Sequence, residues 1–231
     1  MQMHTHEATA EELLGRLNEL EKKNAPNRIF FAGDRRLLDS GPRVAIVGSR
    51  AASVEGRDFA RRLAAFVASR GAVVVSGLAA GIDTEAHLAA IAAGGRTIAV
   101  LGTSLDEVFP AENRALQERI AREHLAISQF EPGAPARRTN FPQRNRTMAL
   151  FSDLTVIVEA GEKSGSLHQG WEALRLGRPL FLSDLAASHS GLAWPSEFMK
   201  YGAMVLRADD MGLILEFLPE RSGAEAATPA F

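Results

Sequence analysis

A chain of 231 residues with 46% hydrophobic and 23% charged side chains has ordinary globular composition and enough length to bury a sizeable core, which excludes collagen-like and intrinsically disordered classes. Its formal net charge of −2 excludes a surface coated in positive charge, so any nucleic-acid contact must come from a local patch. With no cysteine there is no disulfide framework, thiolate metal site or cysteine nucleophile. With no signal-peptide layout and no long apolar run either, a cytoplasmic, non-membrane protein is expected.

In chain order, residues 9–23 are expected to form one amphipathic helix, with Thr9 and Glu12 as a capping box and Leu13, Leu14, Leu17 and Leu20 on one face. After Pro26, RIFFAG (28–33) reads as a short strand. A regular alternation follows: strand VAIVG (44–48), helix 53–70, strand AVVVSG (72–77), helix 82–93, strand RTIAVLG (96–102) and helix 112–123. Strand LAISQF (125–130), helix 141–151, strand LTVIVEA (154–160), helix 166–176 and strand PLFL (179–182) continue it. Continuous apolar strands are covered on both faces, and their alternation with helices implies right-handed crossovers in a parallel sheet. The expected fold is therefore α/β, a doubly wound, mostly parallel Rossmann-like sheet with helices on both faces. Residues 183–201 read as an irregular connection, 203–208 as a last strand and 209–218 as a last helix. The domain expectation is a helical appendage (1–27), one Rossmann-like domain (28–218) and a loose tail (219–231).

In such sheets ligands sit beyond the carboxyl ends of the strands, where helix N-termini expose free N–H groups. Four loops rich in Gly and Ser fall there: GSRAAS (48–53), SGLAAGID (76–83), GTSLD (102–106) and EAGEKSGS (159–166). Glycine allows close backbone approach, serine adds a hydroxyl donor, and Arg50 adds a permanent cation with a planar fork. An anion crevice is expected. Neither GxGxxG nor GxxxxGK[ST] occurs, which argues against a standard dinucleotide fold or Walker ATPase. The stretch RRTNFPQRNR (137–146) carries four arginines and no acid. Arg137 and Arg138 read as solvated loop residues. Arg144 and Arg146, about 200° apart on a helix, should divide, one toward the crevice and the other onto a carboxylate such as Glu159. The spacing leaves open which. The residue facing the crevice is expected to serve the ligand, with little effect on the fold when removed. Asp83 and His87, spaced i, i+4, are expected to orient the loop and to bond inside the fold, and no third metal ligand or HExxH is present.

The motifs IFFAGDRRLL, VAIVGSR, SGLAAGIDTEAH, TIAVLGTSLDEVFPAEN, NFPQRNRTMALFSD and VIVEAGEKSGSL, in this order over residues 28–182, resemble the DNA-processing protein A family, also called DprA or Smf. The resemblance implies a Rossmann-like domain that binds single-stranded DNA without a cofactor, dimerises and loads a RecA-type recombinase. Carried over position by position, the DNA or phosphate contacts fall on Gly48, Ser49, Arg50 and Ser53; on Ser76, Gly77 and Gly81; on Arg144, Asn145 and Arg146; and on Lys163, Ser164, Gly165 and Ser166. The family usually has helical N-terminal and often winged-helix C-terminal domains, so this chain reads as nearly the bare core. Ser128-Gln129 and His168-Gln169 stand where the family commonly has Ser-Glu and Thr-Ala. The alternative within the same fold is a nucleotide sensor or a nucleoside-monophosphate phosphoribohydrolase, with Asp83, Glu159 or Glu172 as the carboxylate. Leu192, Trp194, Phe198 and Tyr201 are candidate dimer contacts unless this segment folds back over its own sheet.

Overall fold

A computed structural model of the protein describes residues 4–219. β1 (His6–Ala8) and β2 (Ile29–Gly33) pair antiparallel at one edge of a nine-stranded sheet. Between them the single helix expected over 9–23 is two short ones, α1 (Ala10–Leu14) and α2 (Glu19–Asn24). The Thr9–Glu12 capping box is present, but Gly15, at φ +78°, ends α1, and Asn18 starts α2 with a second capping box to Glu21. The break turns Leu20 outward while Leu13 and Leu17 stay in the core.

The remaining elements are β3 (Arg43–Val47), α3 (Val54–Ala68), β4 (Val73–Ser76), α4 (Ile82–Ala92), β5 (Arg96–Leu101), α5 (Arg114–Glu123), β6 (Leu125–Ser128), α6 (Asn140–Leu150), β7 (Leu154–Ile157), α7 (Ser166–Arg175), β8 (Leu180–Ser183), α8 (Asp184–Ala187), α9 (Trp194–Lys200) and β9 (Met204–Leu206). The sheet order is β1-β2-β6-β5-β4-β3-β7-β8-β9. From β6 to β9 every pair is parallel, and β2 joins β6 antiparallel. The expected α/β, mostly parallel, doubly wound architecture is what the chain adopts. The expected last helix is a 3-10 turn, Met211–Phe217, and the tail expected over 219–231 lies outside the described residues from position 220 onward.

Strand alternation divides the core into two layers. Val44, Ile46, Val74 and Val156 pack against Phe59, Leu63 and Val67 of α3. Ala45, Val47, Val75 and Ile157 face the opposite layer, with Met148 and Leu150 of α6. These central strands are therefore covered on both sides, which is why they read as continuous apolar runs. The 183–201 connection contains α8 and α9 and folds onto its own domain. Trp194 and Phe198 are buried, Trp171 stacks on Phe198 at 4.4 Å, and the Trp194 indole donates to the Ala160 carbonyl at 3.1 Å. Of the candidate dimer contacts, Tyr201 stays largely exposed. Among the described residues no helix is long and apolar enough to cross a membrane.

Candidate functional site

β3, β4 and β7 end together, and the loops after them, with α6 as a wall, enclose a cleft of about 650 Å3. The loop after β3 is held closely. Gly48 lies where a Cβ would come within 2.6 Å of the Ile82 side chain. Ser49 N–H donates to the Glu159 carbonyl (2.7 Å), and the Ser49 carbonyl accepts from Ile82 N–H (3.2 Å). Gly81, at φ +78°, brings α4 against this loop where a side chain would collide with the Arg50 carbonyl. Arg50 itself is exposed. Its guanidinium lies over Phe141 (5.4 Å to the ring centre) and Phe109 (5.9 Å), and the two rings tilt together at 5.4 Å. Lys163 stands exposed on the β7 side of the cleft. Among the described residues neither cation has an acidic partner within ion-pair distance.

The two helical arginines divide as the spacing demanded, but with different partners. Arg144 lines the cleft and is only 6% exposed. It donates to the Gly77 carbonyl, to the Val100 carbonyl (2.7 Å) and to Asn145 Oδ1 (3.0 Å). It is a brace between β4, β5 and α6, contrary to the expectation that its removal would spare the fold. Burial lowers its pKa from the ordinary value, with Asp83 opposing the shift and Arg50 adding to it. Asp83 Oδ2 accepts from Gly77 N–H (3.1 Å) and Ala79 N–H (3.3 Å), the loop-orienting role expected of it. Burial pushes the Asp83 carboxyl above its ordinary range, against the pull of Arg144 and these amides. His87 bonds through Nδ1 to Thr97 Oγ1 at 2.6 Å inside the fold.

Arg146 reaches Glu172 (3.4 Å), not Glu159, because Glu172 lies on α7 beside that face of α6 and already holds Arg175 at 2.6 Å. Glu159 is occupied by Ser53, whose Oγ donates to it at 2.6 Å. On the far wall Asn145 Nδ2 donates to the Gly165 carbonyl (2.9 Å), Ser164 and Ser166 hydroxyls meet at 3.2 Å, and Ser166 Oγ donates to the Gly48 carbonyl (2.8 Å).

Of the sequence-derived residues, the fold brings Gly48, Ser49, Arg50, Arg144, Asn145, Lys163, Ser164, Gly165 and Ser166 to one cleft. Five others stand outside its lining. Ser53 caps α3, Ser76 is fully buried and donates to the Ile46 carbonyl at 2.6 Å, Gly77 lies under Arg144, Gly81 packs on the 48–50 backbone, and Arg146 is on the opposite face of α6. Phe141, Asp83, Met148 and Gln169 also line the cleft. Of these the sequence marks Phe141 by the Phe-Pro step before the RNR triplet, Asp83 by its place in the SGLAAGID loop and Gln169 by its departure from the family pattern, and only Met148 carries no signal. Gln169 is buried at the floor, donating to Thr155 Oγ1 at 3.3 Å, and Gln129 accepts from Thr147. Among the described residues no group of three or more His, Asp or Glu side chains is arranged to hold a metal ion.

The fold that builds this cleft is shared with known proteins. A family model described as DNA recombination-mediator protein A matches residues 8–217. The chain belongs to that family. It is 35% identical to the DNA processing protein DprA of Bacillus subtilis over 198 residues, which is 85% of this chain and 66% of that protein. The structure of DNA processing protein A from Streptococcus pneumoniae superposes with a TM-score of 0.79 at 33% identity, covering 93% of this chain and 75% of that one. DNA processing protein A from Helicobacter pylori, described for its single-stranded DNA binding mode, gives a TM-score of 0.77 at 29% identity, covering 95% of this chain and all of that one. The chain spans 66% and 55% of the lengths of its DprA relatives from Bacillus subtilis and Streptococcus pneumoniae.

Proposed function

We propose that this chain is a single-stranded DNA-binding protein of the DNA-processing type, acting in recombination or DNA uptake by binding and not by turnover. The carrying observation is Arg50, an exposed cation without an acidic partner among the described residues, set over two aromatic rings at the mouth of a Gly/Ser-lined cleft that also holds Lys163. Phosphates meet Arg50, Lys163 and the Ser49 hydroxyl, while unpaired bases stack on Phe141 and Phe109. A duplex cannot offer a base face to those rings, so it binds less tightly. Two family-level features complete the reading: the protein acts in the cytoplasm as a homodimer, and it delivers bound strands to a RecA-type recombinase.

The test is fluorescence anisotropy with a labelled oligothymidine across a salt series. Each neutralised phosphate contributes about −0.7 to the slope of log K against log salt. Arg50→Ala is expected to weaken binding about tenfold and to flatten the slope by about one contact, whereas Arg137→Ala, on the exposed loop, changes little. A larger loss with Arg137→Ala would move the site out of the cleft. Sustained release of free base from nucleoside monophosphates, followed by chromatography, would overturn the binding-module reading in favour of a phosphoribohydrolase.

A further inference from the structure

Glu159 lies two residues beyond β7, beside a cleft where a carboxylate opposes anion binding. Its oxygens are nevertheless engaged in one task. Its carbonyl accepts from Ser49 N–H at 2.7 Å. Its carboxylate accepts from Ser53 N–H at 3.2 and 3.1 Å and from Ser53 Oγ at 2.6 Å. The neighbouring helix is cut to admit it, since a Cβ on Gly56 would overlap Glu159 Oε2. One residue thus holds both ends of a five-residue arch, 49–53, with Arg50 inside it. The near end has a second anchor in the Ser166 bond to the Gly48 carbonyl, so the carboxylate matters chiefly at the far end.

We propose that Glu159 is a positioning residue for DNA binding, its carboxylate fixing the 49–53 arch so that Arg50 stands over Phe141 and Phe109 before a strand arrives. The inference rests on the single-stranded DNA reading above. It sets a sign against simple electrostatics: deleting a negative charge beside an anion site strengthens binding, whereas loosening the arch weakens it, because Arg50 must then be ordered at the expense of binding.

Anisotropy titrations of oligothymidine against wild type, Glu159→Ala, Glu159→Gln and Gly56→Ala, each with a thermal melt, decide between the two. Glu159→Ala is expected to bind about three- to tenfold more weakly, the cost of ordering one mobile side chain. Glu159→Gln keeps an acceptor oxygen for Ser53 and returns affinity to within about twofold of wild type, a rescue that charge alone does not produce. Gly56→Ala is the control for misfolding. It retains the charge and favours helix α3 by about 1 kcal/mol of intrinsic propensity, yet displaces the carboxylate, so binding weakens while the fold persists. Glu159→Ala binding as tightly as wild type or tighter, or Gly56→Ala binding like wild type, overturns the positioning role and leaves DNA binding standing. Wild-type protein that binds no oligonucleotide at low salt refutes both.

Discussion

Arg144→Ala is expected to damage the fold before it damages the ligand site. The side chain is buried and its guanidinium satisfies the Gly77 and Val100 carbonyls and Asn145 Oδ1. A buried acceptor left without its donor costs about 1–3 kcal/mol. Asp83 also loses the cation that opposes its upward pKa shift. It can answer by taking up a proton, and water entering from the cleft can reach part of the vacated space, so the separate penalties do not simply add. A net loss of about 3 kcal/mol follows, which for a chain of this size lowers Tm by about 6–12 °C. Scanning calorimetry of wild type and Arg144→Ala, with urea unfolding to check that the slope is unchanged, measures it. Arg50→Ala, made at an exposed cation, is the control and should melt with wild type. A Tm for Arg144→Ala within about 2 °C of wild type would refute the account of Arg144 as a brace.

Burial depresses the His87 pKa to about 3, below its ordinary value, so the neutral ring contributes stability that is present above about pH 6.5 and is lost as pH falls toward 3, at up to about 1.4 kcal/mol per pH unit. Urea unfolding over that range should show the loss, and His87→Gln should flatten it; an equal slope in the variant would assign the acid limb to other groups. Asp83 works in the opposite sense, since its raised pKa gives stability at low pH that fades as pH rises through the folded-state value. Arg146→Ala leaves Glu172 paired with Arg175 at 2.6 Å, and Arg146 is nearly half exposed, so after solvent screening the loss is about 1 kcal/mol or less. A thermal shift larger than that of Arg144→Ala would reverse the roles of the two arginines.

The alternation of elements, the parallel sheet and the end of the sheet at which the cleft opens are legible in the sequence. These follow from local physics: short apolar runs such as Val44–Val47, rich in β-branched residues and followed by glycine, read as doubly covered strands, and the Gly/Ser loops after them then lie at their carboxyl ends. The sequence also carried the Thr9–Glu12 cap and the loop-orienting role of Asp83, both set by spacings of three or four residues. It misread 9–23 as one helix because Leu13, Leu17 and Leu20 keep helical spacing across the Gly15 break, and periodicity does not record a turn that the backbone of Gly15 and Asn18 imposes. What only the tertiary structure decided is which polar groups remain free. Arg144 and Arg146 are equivalent in sequence until the rotation of α6 sets one under the β4 and β5 carbonyls and the other beside α7. Glu159 and Ser53, 106 residues apart, spend their hydrogen bonds on each other only because β7 ends next to the β3 loop. Ser76 looked like a ligand donor in its Gly/Ser motif and is instead turned into the sheet. A side chain's capacity to meet a ligand is what remains after its neighbours are satisfied, and those neighbours are chosen by packing across the chain, not along it.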